Sequence, residues 1–270
     1  MTQLAVIDAG WATSVQDAGR PGLAALGVSP SGALDQPQHQ LLNRLVGNPP
    51  DAAVLETLGG LKLRSDGAAL VATSSEHAAV SVPAGAIIAV EPAAGQLWGY
   101  FAVRGGIAVE AVLGSRSTDS RSGLGPLPVV AGAALPIGPD PGTPVVVDQA
   151  PARGRADDAV GVWVGPRADW FVADAIAVLT SERWTVSNDA SRVGVRLGGK
   201  PLRRRVDGEL ASEGVITGAV QVPPDGRPVV MLADHPTTGG YPVLAVVDER
   251  WIPAVVQARP GSTVTFRLLR

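Results

Sequence analysis

Turn-forming residues punctuate this chain from end to end: 33 glycines and 23 prolines fall among 270 residues. A chain broken so often has no room for long helices. Short runs rich in β-branched residues lie between the breaks, at Ala68–Ala72, Ile87–Val90, Val145–Val147, Val229–Leu232, Leu244–Val247 and Thr263–Leu268. Runs of this kind bounded by turn residues read as strands. Their density predicts barrels or sandwiches rather than a parallel sheet. One turn recurs, in Val82-Pro83-Ala84-Gly85, Val130-Ala131-Gly132 and Arg259-Pro260-Gly261. In each, a glycine that tolerates positive φ leads into an apolar strand.

Two helices are expected. One starts at Asp35 as N-cap, tolerates Pro37 in its first turn, carries Leu41, Leu42, Leu45 and Val46 on one side, and stops at Gly47-Asn48-Pro49. His39 on this helix reads as a surface residue. The second spans Asp169 to Thr180, with Phe171, Val172, Ile176 and Leu179 on one side. The unpatterned stretch between Asp148 and Ala159 reads as a linker or long surface loop, which divides the chain into domains over 1–155 and 156–270.

The balance of 46% hydrophobic to 17% charged residues supports a sizeable core, the opposite of a disordered composition. A net charge of −3 gives no nucleic-acid footprint. Arg203-Arg204-Arg205 is the one basic run and reads as a solvated loop. With no cysteine there are no disulfides, thiolate nucleophiles or cysteine metal sites, which fits a reducing compartment. The three histidines lack zinc-ligand spacing, so no metal site is expected. The start of the chain has no signal-peptide pattern, and the longest uncharged stretch, Ser122 to Pro139, is interrupted by four prolines. A cytoplasmic protein without membrane or nucleic-acid partners is the expectation. No phosphate-cradling loop ending in Lys-Ser/Thr and no Gly-x-Ser-x-Gly elbow is present, nor is there a standard biotin-attachment lysine, so biotin is not carried on this chain.

Four polar, glycine-rich segments stand out. The first runs from Thr13 to Gly22 and on to Asp35, and offers Gln16, Asp17, Arg20 and Ser31. Arg20 suits a carboxylate held bidentately; equally, an Asp17–Arg20 ion pair would brace the loop. The second, Gly114 to Gly123, sets Arg116 and Arg121 among hydroxyls; it reads as an anion site or as a solvated loop. The third, Ser212 to Gly226, contains Gln221 ahead of the ordinary turn Pro224-Asp225-Gly226. The fourth is Asp234-His235-Pro236-Thr237-Thr238-Gly239-Gly240-Tyr241, at the end of an apolar strand. Here Asp234 suits a base or an orienting group, or else caps a bulged hairpin.

Taken in order, these segments resemble the family of the 5-oxoprolinase C subunit, also called allophanate hydrolase subunit 2. Val15-Gln16-Asp17 through Asp35 and Asn43-Arg44-Leu45-Val46-Gly47-Asn48 match its opening pattern, and Leu113-Gly114-Ser115-Arg116-Ser117-Thr118 its middle. Val164-Gly165-Pro166, Asp169-Trp170-Phe171 and Ser191 to Leu197 match further blocks. Glu213-Gly214-Val215, Gln221 to Gly226 and Thr237 to Pro242 match its close. Thr73-Ser74-Ser75-Glu76-His77 departs from the family's Thr-Gly-Ala, and His235-Pro236 from its polar pair.

The resemblance implies two cyclophilin-like β-barrel domains with a few short helices. It implies work with an A and a KipI-like B subunit, opening 5-oxo-L-proline to L-glutamate with ATP used by the complex, and no activity alone. It leaves two alternatives: a carboxyltransferase component of an allophanate hydrolase or urea carboxylase type system, or a regulatory antagonist of a KipI-like sister. Under the leading reading the catalytic candidates are Asp17 and Asp234. The substrate-binding candidates are Gln16, Arg20, Ser31, Arg116, Arg121, Gln221, Thr237, Thr238 and Tyr241. The first and fourth segments are expected to serve one small ligand, since neither alone supplies a cation, oxyanion donors and a base.

Overall fold

A computed structural model describes residues 2–147, 149–151, 159–208 and 210–270. The chain divides into two compact units. One comprises Met1–Arg20 and Ser31–Arg153, the other Pro21–Pro30 and Gly154–Arg270. The fold is mostly β, as the resemblance implies, with a nearly closed barrel sheet in the second unit and three short α-helices among the described residues.

In the first unit the strands are β1 (Gln3–Ala9), β2 (Thr13–Gln16), β3 (Val54–Thr57), β4 (Leu61–Ser65), β5 (Ala69–Thr73), β6 (Ala79–Val82), β7 (Ile87–Val90), β8 (Gly99–Val103) and β9 (Ala134–Pro136). They form a four-stranded sheet, β7-β4-β1-β9, and a five-stranded sheet, β2-β3-β8-β5-β6. Alternation decides which side chains face inward. Leu4, Val6, Leu61, Leu63, Ile88, Val90 and Leu135 from the first sheet join Val15, Leu55, Val71, Phe101 and Val103 from the second in one core. Helix α1 (Gln36–Leu45) begins where expected, with the Asp35 carboxylate accepting from the Gln38 amide at 3.0 Å.

The second unit holds β10 (Val160–Val164), β11 (Trp184–Val186), β12 (Gly194–Gly198), β13 (Glu213–Gly214), β14 (Ala219–Gln221), β15 (Val229–Met231), β16 (Thr238–Gly239), β17 (Val243–Val247), β18 (Thr263–Val264) and β19 (Phe266–Leu268). Helices α2 (Ala175–Ser181) and α3 (Ile252–Val256) accompany them. The main sheet runs β18-β11-β12-β15-β14-β17-β10-β19. Its two ends, β18 and β19, are consecutive pieces of one stretch, so the sheet nearly closes on itself and leaves little free edge. β13 and β16 pair as a separate ribbon.

The repeated turn is one structure used three times. Gly85, Gly132 and Gly261 have φ of 80°, 84° and 81°. The amides of Ala86, Ala133 and Ser262 return to the carbonyls of Pro83, Val130 and Arg259 at 3.2, 3.2 and 2.9 Å. Each glycine amide meanwhile donates to a neighbouring segment, at the carbonyls of Ser65, Val6 and Val186. Positive φ at the third position is what a type II turn needs.

Several expectations are corrected. Val145–Val147 is not a strand: all three valines are exposed, and β propensity without a pairing partner builds nothing. The second helix is only Ala175–Ser181, because Phe171 leaves the preceding helical turn to bridge Arg204 and bury its ring. The basic run is not simply solvated, since Arg205 donates to the Asp169 carbonyl through two nitrogens and Arg204 to that of Val222. Residues 148 and 152–158 of the expected linker lie outside the described residues, whereas Gln149 bridges Ala78.

Candidate functional site

In the first unit, Gln16 at the end of β2 and Asp17 just after it run past the segment Ser115–Thr118, about 100 residues later in the chain. The Thr118 amide donates to the Val15 carbonyl at 2.9 Å, and the Asp17 amide to Ser117 Oγ at 3.0 Å. The turn delivering that segment is a two-residue loop, Leu113-Gly114, with positive φ at both residues as a type I′ hairpin requires. The Asp17 carboxylate then gathers its surroundings. Oδ1 accepts from Ser115 Oγ and Ser117 Oγ at 2.6 Å each and from the Gly19 amide at 2.8 Å, while Oδ2 accepts from the Arg116 amide at 2.6 Å. Asp17 therefore bonds hydroxyls and amides rather than Arg20.

Arg20 is buried and reaches the carbonyls of Val112 and Ser117 through Nε and Nη2. Its Nη1 is buried with no partner. Gln16 is fully buried, and its amide nitrogen donates to Ser14 Oγ at 2.9 Å and to the Thr118 carbonyl at 3.0 Å. Its Oε1 has no partner, and neither has Thr118 Oγ1. Ser31 Oγ donates to the same Thr118 carbonyl at 3.1 Å from a left-handed backbone, φ 53°. The structure thus brings Gln16, Asp17, Arg20 and Ser31 around Ser117–Thr118, and three buried polar atoms there are unspent. Unspent buried polar atoms are costly and mark places where a ligand or water completes the bonding. Arg116 and Arg121, by contrast, have exposed side chains; Arg116 Nε donates to the Val109 carbonyl, and Asp119 caps the turn over Arg121 and Ser122.

The second unit gathers its candidates in two places. Asp234 is fully buried and grips the Arg192 guanidinium through both oxygens, at 2.9 and 3.1 Å. Gln221, Thr238 and Tyr241 form the other group. Gln221 is buried and donates to the Tyr241 carbonyl at 3.2 Å. A side chain at Gly239 would come within 2.9 Å of the Gln221 amide nitrogen, so glycine is what lets β16 pass. The Thr237 carbonyl accepts from the Val215 amide, Thr238 pairs with Gly214, and the Tyr241 ring is half exposed. Glu213, in this ribbon opposite Gly239, is bonded by Arg167, which lowers the pKa of the Glu213 carboxyl.

Sequence reasoning misses several groups. His39 is fully buried, not on the surface: its Nε2 bonds the Ala52 carbonyl at 2.8 Å and the Asn43 amide nitrogen lies 3.1 Å away. Burial pushes its pKa down, partly offset by the Ala52 bond and by Asp17. Glu56 and Tyr100, facing each other on β3 and β8, are fully buried and bonded at 2.8 Å. Their register is visible only once the strands are paired. A groove of about 750 Å³ lined by Thr2, Leu70, Val82, Arg104, Pro136 and Asp140 contains none of the candidates. Among the described residues no three metal-ligating side chains converge, and no helix is long and apolar enough to cross a membrane.

The sequence profile of the carboxyltransferase domain, subdomain A and B, matches residues 26–268. The chain belongs to that family. It is 34% identical to the C subunit of 5-oxoprolinase from Escherichia coli, over 97% of this chain and 90% of that one. It is 33% identical to a urea amidolyase of Lachancea kluyveri over 94% of this chain, but only 16% of the larger protein. The crystal structure of TTHA0988 superposes with a TM-score of 0.87 at 34% identity over 99% of this chain. This chain spans about half, 55%, of that relative's length. Homology to the 5-oxoprolinase C subunit, with its relation to the carboxyltransferase region of urea amidolyase, thus agrees with the order of motifs along the chain.

Proposed function

We propose that this chain is the C subunit of a 5-oxoprolinase-type hydrolase that opens the cyclic amide of 5-oxo-L-proline to L-glutamate, with ATP consumed by the complex. The supporting observation is end-to-end similarity to a protein of that name: nine-tenths of the Escherichia coli subunit is matched, against a sixth of the urea amidolyase. We propose cytoplasmic partners corresponding to the A and B subunits, and no turnover by this chain alone.

Within this reading the buried cluster in the first unit contacts the substrate. Arg20 Nη1 serves an anionic or carbonyl oxygen, Gln16 Oε1 accepts an N–H, and Ser31 and Thr118 add hydroxyls. Gln221, Thr237, Thr238 and Tyr241 serve the same turnover, and the exposed Arg116 and Arg121 draw in the anionic substrate. Asp17 and Asp234, expected from sequence as proton-transfer groups, are committed to four donors and to a bidentate arginine respectively. Those bonds favour holding roles for both.

A second reading, carboxyl transfer, draws on the family profile and on the urea amidolyase similarity. The test is reconstitution. The chain and its A and B partners are assayed singly and together for 5-oxoproline-dependent glutamate formation and ATP hydrolysis. Glutamate formed only by the full set is expected. Turnover of urea with a carboxybiotin carrier, and none of 5-oxoproline, would favour the second reading.

A further inference from the structure

Buried acids away from the substrate groups need a reason, because an ionised carboxylate is expensive to bury unless its bonds are supplied. Glu56 and Tyr100 are fully buried in the first unit. Glu56 Oε2 accepts from Tyr100 Oη at 2.8 Å and from the Leu34 amide at 2.8 Å, and Tyr100 Oη accepts from the Asp35 amide at 2.8 Å. The pair thus holds two consecutive backbone amides at the end of the loop that starts with Ser31.

That loop is tightly determined. Its Ser31 has φ 53°, a conformation that costs a non-glycine residue energy and persists only where surroundings over-determine it. The next residue, Gly32, packs so closely that a side chain there would lie 2.8 Å from the Gly19 amide nitrogen. The Ala33 amide donates to the Asp17 carbonyl at 2.9 Å, and Asp35 caps α1. Ser31 Oγ donates to the Thr118 carbonyl that Gln16 also uses.

We propose that Glu56 and Tyr100 are positioning residues: through the Leu34 and Asp35 amides they set the Ser31 loop in the geometry in which Ser31, beside Gln16 and Thr118, meets the substrate. This rests on the reading that the Gln16–Ser31–Thr118 cluster contacts the substrate. Burial and the neighbouring Glu56 push the Tyr100 phenol well above its ordinary pKa, so the proton stays on the phenol and is donated to Glu56.

The experiment is a double-mutant cycle on the reconstituted three-component assembly, with kcat/KM for 5-oxoproline as the readout. Ser31→Ala and Tyr100→Phe are each expected to lower kcat/KM about tenfold, the scale of a small misplacement at a binding group. In the double variant the loss is expected to stay near that of one single variant, because Tyr100 acts through Ser31. Glu56→Ala is expected to fall with Tyr100→Phe, because it removes the acceptor of the Leu34 amide and of the Tyr100 hydroxyl. A purely structural role lowers the melting temperature without this coupling. Losses that multiply in the double variant, or wild-type kcat/KM in Tyr100→Phe while Ser31→Ala is impaired, would overturn the positioning role. Wild-type kcat/KM in Ser31→Ala would overturn the substrate cluster itself. If Tyr100→Phe does not fold, Glu56→Ala takes its place in the same cycle with Ser31→Ala, and losses that multiply there overturn the proposal.

Discussion

The two units bury polar groups in different ways. In the second, charge is neutralised on the spot: the buried Asp234 faces Arg192 with both oxygens. In the first, the Asp17 carboxylate takes only neutral donors, and Gln16 Oε1, Arg20 Nη1 and Thr118 Oγ1 next to it are buried without partners. A buried ion pair held through both carboxylate oxygens specifies structure. A cluster with donors and an acceptor to spare is chemically unfinished. On this comparison we propose bracing for the Asp234–Arg192 pair and recognition for the Gln16 cluster.

The largest effect should come from breaking the closed pair. Asp234→Ala removes the two carboxylate oxygens that face the buried Arg192 guanidinium, and breaking a buried pair costs about 3–5 kcal/mol. Chemical denaturation should show a lowered midpoint, whereas an Asp234 that served only in catalysis would leave the midpoint in place.

Next in size is Asp17→Asn. The amide retains one oxygen for some donors but turns an N–H₂ toward another, at about 1–3 kcal/mol. If Asp17 pins the Ser115–Ser117 segment, stability and kcat/KM fall together. A collapse of kcat with an unchanged melting temperature would instead restore the proton-transfer role.

A smaller effect is expected from pH. The folded pKa of His39 lies below its unfolded value of 6.5, so the unfolded chain binds the proton more readily. Stability is then full above about pH 6.5 and declines as pH falls toward the folded pKa. Thermal melts from about pH 7.5 to about 5.5 should show this decline, and it should flatten in His39→Gln. A slope unchanged by that substitution would assign the titration to other groups.

The smallest effect on stability is expected at the exposed arginines. Arg121→Ala should leave the melting temperature within the error of the measurement, as surface changes do. In the reconstituted assembly it should raise KM at low salt more than at high salt, since steering by exposed charge is screened. An equal KM at both salt concentrations would remove the steering role.

How much of this is legible in the sequence depends on how local each signal is. The three glycine turns and the Asp35 cap are written in a few consecutive residues, and each forms as expected. Val145–Val147 carries the same β-branched signal but has no partner strand, which no local pattern reveals. Gln16, Asp17, Arg20 and Ser31 are legible as a polar, glycine-rich run. Their real partners, Ser115 to Thr118, lie about 100 positions away and read locally as a separate anion loop. Arg192 opposite Asp234, and Glu56 opposite Tyr100, are 42 and 44 positions apart, so only strand pairing exposes them. His39 looks like a surface residue because its helix shows polar neighbours, while the Ala52 carbonyl that receives it lies beyond the helix.

The comparison is tested most directly at Gln16, with kinetics and melting measured on the same protein. Gln16→Leu keeps the bulk but removes the unspent acceptor. In the reconstituted assembly it is expected to lower kcat/KM for 5-oxoproline about 100-fold, the cost of misplacing a substrate at its reacting position. The chain should still melt cooperatively, because a buried apolar group of similar volume replaces an amide that was only half bonded. Wild-type kcat/KM in Gln16→Leu would contradict the account and leave the cluster as structure alone.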